Sequence, residues 1–100
     1  MGSLNEILKR VGAEVIRKGS ITLVDRKAAM AVLDICSDEE IRVLGIEGFS
    51  VLGEKIIPPI DAIGDFSCAS SKSQSVKDAR RFIQSIEQPE LMFELELQDR

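Results

Sequence analysis

Ile41-Arg-Val-Leu-Gly-Ile-Glu-Gly-Phe-Ser-Val-Leu52 is the most strand-like stretch of the chain, and the fold follows from how it is read. Twofold alternation puts Leu44 and Ile46 on one side and Val43, Phe49 and Val51 on the other. Apolar residues on both faces predict a central strand covered on both sides. Gly45 and Gly48 are placed to mark a bulge or a close backbone approach. Gly53 and Glu54 then read as a tight turn into Lys55, Ile56 and Ile57, a hairpin that Pro58 and Pro59 terminate.

Toward the N-terminus, Leu4, Ile7, Leu8, Val11, Val15 and Ile16 recur at three- and four-residue spacings, which predicts a helix from Ser3 that stops at Lys18 and Gly19. Gly12 falls inside it. Ile21 to Val24 is a β-branched run suited to a strand. Asp25 is placed to cap a second helix carrying Ala28, Ala29, Val32, Leu33 and Cys36 on one side, which the polar run Ser37 to Glu40 ends. Strand, helix and strand between Ile21 and Ile46 predict a right-handed parallel crossover.

Toward the C-terminus, the segment from Ile60 to Phe66 stays open between an edge strand and an irregular stretch with Ile60, Ile63 and Phe66 tucked inward. Ser67 to Ser75 has the composition of an exposed loop. Ser75 and Asp78 have capping-box spacing ahead of Val76, Ala79, Phe82, Ile83 and Ile86 on one helical face, and Pro89 closes that helix. Leu91 to Leu97 alternates, with Leu91, Phe93, Leu95 and Leu97 inward and Met92, Glu94 and Glu96 outward. The expected fold is therefore an α/β (α+β) single domain over residues 1–100. It is a mixed β-sheet of about four strands packed with three helices, in the order αβαββαβ.

Composition narrows the function. A net charge of −4 disfavours direct nucleic-acid binding, which depends on Lys and Arg displacing counterions from phosphate. The longest apolar stretches, such as Ile56 to Ile60, fall far short of the ~20 residues of a membrane helix. The first residues carry Asn5, Glu6, Lys9 and Arg10 in an amphipathic pattern unlike a signal peptide, so a cytoplasmic location is expected. Cys36 and Cys68 stand far apart with no His in the chain, which indicates neither a zinc site nor a disulfide framework.

The same lack of His removes the commonest general base and triad member. No GxGxxG and no GxxxxGK[ST] is present, and the expectation is a protein that is not an enzyme and needs no cofactor or metal. Carboxylates are the candidate site residues. Glu47 interrupts a largely apolar strand, where it either meets an intramolecular cation, reaches solvent, or offers a charged contact to a partner. Asp61 and Asp65 stand four apart and share a face only if their segment is helical. Glu94 and Glu96 share one face of the last strand, and Glu39, Glu40 and Glu54 at predicted turns are candidates to extend the patch. Such a patch steers a basic partner.

Arg42-Val-Leu-Gly-Ile-Glu-Gly-Phe49, followed by Pro59, Asp61, Ile63 and Asp65-Phe66-Ser67, resembles small acidic bacterial immunity proteins of polymorphic toxin and contact-dependent growth inhibition systems. Ala79, Phe82 and the Phe93-Glu-Leu pattern extend the likeness over most of the chain from Ile21 onward. The resemblance implies a protein that binds a cognate toxin domain, such as a nuclease with a basic cleft, and covers its active site without doing chemistry. Glu47, Asp61, Asp65, Glu94 and Glu96 are the expected partner-binding residues. The alternative is a stand-alone regulatory or small-ligand-binding domain using a pocket between the hairpin and the Ser67 to Ser75 loop. A carboxylate-only or metal-dependent hydrolase is the third reading.

Overall fold

Gly12, at φ +66°, ends the first helix rather than sitting inside it. The Gly12 amide donates to the Lys9 carbonyl and the Ala13 amide to Leu8, a closure of the last turn that a residue in the left-handed region makes possible. In the computed structural model, which describes residues 3–53, 55–57 and 62–98, α1 therefore covers Ser3–Val11 only. The helical spacing of Val15 and Ile16 beyond it is coincidental. Ile16–Lys18 is a strand, β1, paired antiparallel with β2 at Ile21–Leu23 across Gly19.

The helix α2, Arg26–Asp38, begins as expected, with the Asp25 carboxylate accepting from the Ala28 amide at 2.8 Å. It buries Ala29, Val32, Leu33 and Cys36. The long strand β3, Val43–Leu52, turns at Gly53 into β4, Lys55–Ile57, with Leu52 opposite Lys55 and Ser50 opposite Ile57. Pro58, Pro59 and Ile60 lie outside the described residues. Beyond them the same edge of β3 pairs with β5, Ile63–Asp65, so the segment left open by the sequence contains an edge strand. Phe66 is buried as one alternative held, whereas Ile63 is 64% exposed and is not tucked inward.

The last helix, α3, covers Lys72–Ser85 and starts earlier than expected. Ser71 is its N-cap, accepting from the Gln74 amide at 3.0 Å, and Ser75 is fully buried. The Ser75 hydroxyl donates to the Lys72 carbonyl and accepts from the Val43 amide, tying α3 to the start of β3. The expected capping box at Ser75 is thus displaced by one helical turn because that hydroxyl serves the interior. Strand β6, Met92–Leu97, follows the predicted alternation, with Leu91, Phe93 and Leu95 buried.

β6 fills the remaining edge of β3, and Val24, just after β2, bridges Phe93 antiparallel on the other side of β6. β2 and β3 consequently run in the same direction, as the crossover required, but they are not neighbours: β6 lies between them. Every hydrogen-bonded strand pair among the described residues is antiparallel. Among the described residues the result is an α+β fold of three helices and six strands, roughly in the expected order with β1 and β5 added.

Helices α1, α2 and α3 pack side by side against β3 and β6, and one cluster from Ile7 and Leu8 through Leu33, Ile46, Ile83 and Phe93 forms the core. Arg26 locks two helices together: its guanidinium donates to the Ile83 and Gln88 carbonyls and stands 5.7 Å over the Phe93 ring. β3 is covered by helices on one face only, which corrects the expectation of cover on both. On the other face Phe49 is buried, but Gly45 and Glu47 are only half-buried. No helix among the described residues is long and apolar enough to cross a membrane.

Replacing Ser75 by Ala strands the Val43 amide in the core, an unmet donor that costs roughly 1–3 kcal/mol. Ser71→Ala removes an exposed cap worth about 1 kcal/mol. Urea denaturation is expected to rank Ser75→Ala as the more destabilising. The reverse ranking contradicts the interior role of Ser75.

Candidate functional site

A bulge decides which side chains leave the core. β6 pairs Leu97 with Val43 and then Glu96 with Gly45, so one extra residue of β3 is accommodated between them. Val43 and Ile46, three apart, both reach the helical side for this reason. Gly45 and Glu47 are thereby turned to the opposite face, and the alternation drawn from Leu44 and Val43 in the sequence does not survive past the bulge.

Two cross-strand rows then form on the open face. Ile63, Glu47 and Glu94 make one, and Asp65, Gly45 and Glu96 the next. Four of the five expected partner-binding residues are brought together in this way from three strands. Asp61 lies outside the described residues. Asp65 sits in a strand, so the helical spacing considered for Asp61 and Asp65 does not apply to it.

Gly45 explains why the face is hollow. It carries no side chain between Asp65 and Glu96, and the surrounding residues enclose an open concavity of about 560 Å³ with Ser67 at its margin. A Cβ on Gly45 would stand 3.2 Å from the Gly64 carbonyl oxygen, closer than ordinary contact, so the strands also approach tightly here. The hollow is not between the hairpin and the Ser67 to Ser75 segment: it lies across β5, β3 and β6.

The charges that the strand register brings into these two rows are all carboxylates. Glu47 and Glu94 are half-buried and directly opposite each other, an arrangement that destabilises a strand pair. Partial burial raises the Glu94 carboxyl above its ordinary 4.5, the Glu47 charge adds to the rise, a backbone hydrogen bond from Thr22 opposes it, and Glu96 contributes further. Asp65 is held below its ordinary value by the Ser67 hydroxyl, which donates at 2.6 Å, and by the Ser67 amide.

None of the four carboxylates pairs with Lys or Arg among the described residues. The ion pairs found there are Arg10–Glu39 and Arg80–Asp34, both joining helices to α2 or its end. The intramolecular pairing considered for Glu47 is therefore not what holds it. Glu39 is engaged with Arg10 rather than joining the acidic face, and Glu54 lies outside the described residues.

The bulge or close approach expected at Gly45 is found, with the register shift between Val43 and Gly45 and the tight approach to Gly64, whereas sequence reading missed Ile63 as a residue of the open face. Ile63 stands two residues from Asp65, a separation that puts both on one face of any strand, and this was the available signal. Among the described residues no three His, Cys, Asp or Glu are grouped to hold a metal ion. No protein-family model matches the chain, and neither does any curated protein or solved structure.

A raised carboxyl binds its proton more tightly in the folded protein than in the unfolded one, so ionised Glu94 subtracts stability at neutral pH. That loss is recovered as pH falls through the raised value toward 4.5 and below. Glu94→Gln is expected to stabilise the protein by about 0.5 kcal/mol at pH 7, a figure reduced for solvent screening. The gain should vanish near pH ~4, where wild-type Glu94 is largely neutral. Paired urea denaturation at the two pH values measures it, and an equal effect at both contradicts the assignment.

Proposed function

We propose that this protein is a cytoplasmic immunity protein that binds a cognate toxin domain with its acidic sheet face and so occludes the toxin's active site. One observation carries the reading: Glu47, Asp65, Glu94 and Glu96 converge on one face without a basic partner among the described residues. Like charges held together in the free protein favour any partner that brings a cation to them. Arrival of a lysine or arginine offsets the repulsion between Glu47 and Glu94 by its attraction to both, and the approach is steered by the summed field. The resemblance of residues 42–49 and the segments after them to immunity proteins supports the partner's being a toxin.

The role makes no use of bond chemistry. The concavity has the size of a small-ligand site, yet half-buried Glu47 and Glu94 and exposed Asp65 and Glu96 line it where such sites are mostly apolar. A protein surface that brings its own cations fits that lining better than a neutral metabolite does.

The proposal predicts a toxin domain encoded in an adjacent reading frame, and the test uses that domain. Purified chain is expected to form a one-to-one complex with that toxin domain and to abolish its activity, with affinity falling as salt rises. Affinity should also fall as pH drops from neutral through the raised Glu94 value, because protonation removes the charge the partner needs. Glu47→Lys with Glu94→Lys should weaken the complex at least about tenfold. Unchanged inhibition after reversal of Glu47, Asp65, Glu94 and Glu96 together overturns the proposal. Turnover of a substrate by the isolated chain, lost on changing one carboxylate, overturns it equally.

A further inference from the structure

The hydrogen bonds of the segment from Ala62 to Phe66 show which way its backbone faces. The Gly48 amide donates to the Ala62 carbonyl at 2.7 Å, and the Phe66 amide donates to the Leu44 carbonyl at 2.9 Å. In an antiparallel ladder these residues, with Gly64 opposite Ile46, turn their polar groups to β3. Ile63 and Asp65 therefore turn their amides and carbonyls the other way, to the outer edge. Among the described residues β5 has β3 as its one strand partner, and nothing pairs with that outer edge. An unpaired row of this kind is a template for another strand.

The side chains on this edge tell what kind of strand fits. Ile63 and Asp65 lie on the acidic face, in the rows that continue to Glu47 and Glu94 and to Gly45 and Glu96. Residues of an added strand opposite Ile63 and Asp65 would project onto that same face, two apart. Asp65 and the hollow beyond it call for a cation, and 64% exposed Ile63 calls for an aliphatic side chain. A second copy of this chain is excluded by charge, since two β5 edges paired antiparallel would join two acidic faces into one.

We infer that the outer edge of β5 takes an extended segment of a basic partner protein as an added strand, with lysine or arginine opposite Asp65 and an aliphatic residue opposite Ile63. The inference rests on the reading of the acidic face as a docking surface, but not on the partner's being a toxin. β5 is only three residues long, so the pairing is a register-setting clamp. The remaining contact comes from charges reaching across the hollow.

The test titrates the isotopically labelled full chain with a synthetic peptide repeating Lys-Thr-Ile-Thr, which places Lys and Ile on one face of a strand. A second peptide of the same sequence, N-methylated throughout, keeps the charge and side chains and removes every backbone donor. The first peptide is expected to shift the Ile63, Gly64 and Asp65 amide resonances and to slow exchange of the Ile63 and Asp65 amides. N-methylation, or Asp65→Lys in the protein, should weaken binding by about tenfold. Equal binding of the N-methylated peptide overturns the inference, as do shifts confined to other surfaces or no saturable shift up to about 1 mM peptide. Peptide pairing at β5 alongside unaffected toxin activity would remove the immunity reading and leave the edge assignment standing. Toxin inhibition without edge pairing would do the opposite.

Discussion

The bulge between Val43 and Gly45 is the constraint on which the rest of this molecule depends. A strand has a side-chain period of two, so one extra residue exchanges the faces of everything beyond it. Here the exchange lets Val43 and Ile46 both enter the core. It also sends Gly45 and Glu47 to the open side, where β5 and β6 add Asp65, Glu94 and Glu96. Ser75 holds the bulge from the helical side by accepting the Val43 amide. A buried hydroxyl in α3 thus secures the register that assembles a charged surface on the opposite face of the sheet.

That surface is costly to the folded state. Glu47 and Glu94 stand directly opposite each other, and burial is the first cause of the raised Glu94 carboxyl. The ion pairs found among the described residues are on the helical side, Arg10 with Glu39 and Arg80 with Asp34, and Arg26 there donates to the Ile83 and Gln88 carbonyls. The contrast between helices tied by ion pairs and a sheet face whose four carboxylates make none among the described residues is the physical basis for assigning the binding role to the sheet. Exposed carboxylates alone do not make that case, because solubility requires them anywhere. Their convergence on a glycine-floored hollow does.

Much of this was legible in the residues. The alternation of Leu91 to Leu97 correctly turns Glu94 and Glu96 outward, and Glu47 stands out as a charge in an apolar run. Asp25 and the run after it define α2 without ambiguity. What was not legible depended on partners distant in sequence. The helical spacing of Val15 and Ile16 continues that of α1, and only the positive φ of Gly12 breaks it. Several serines precede α3, and the one that caps it could not be told from the one that ties it to β3. No local signal reveals that β6 inserts between β2 and β3, because that pairing joins segments from opposite ends of the chain.

The measurement that bears most directly on this account is a carbon-detected NMR titration of the Glu94 side-chain carboxyl in the wild type and in Glu47→Gln. Register places these two side chains against each other, so Glu94 should titrate above 4.5 in the wild type and move down toward that value when Glu47 loses its charge. A Glu94 carboxyl that titrates at or below 4.5, and that does not respond to Glu47→Gln, would mean that the two carboxylates do not share a face and that the acidic surface described here is not formed.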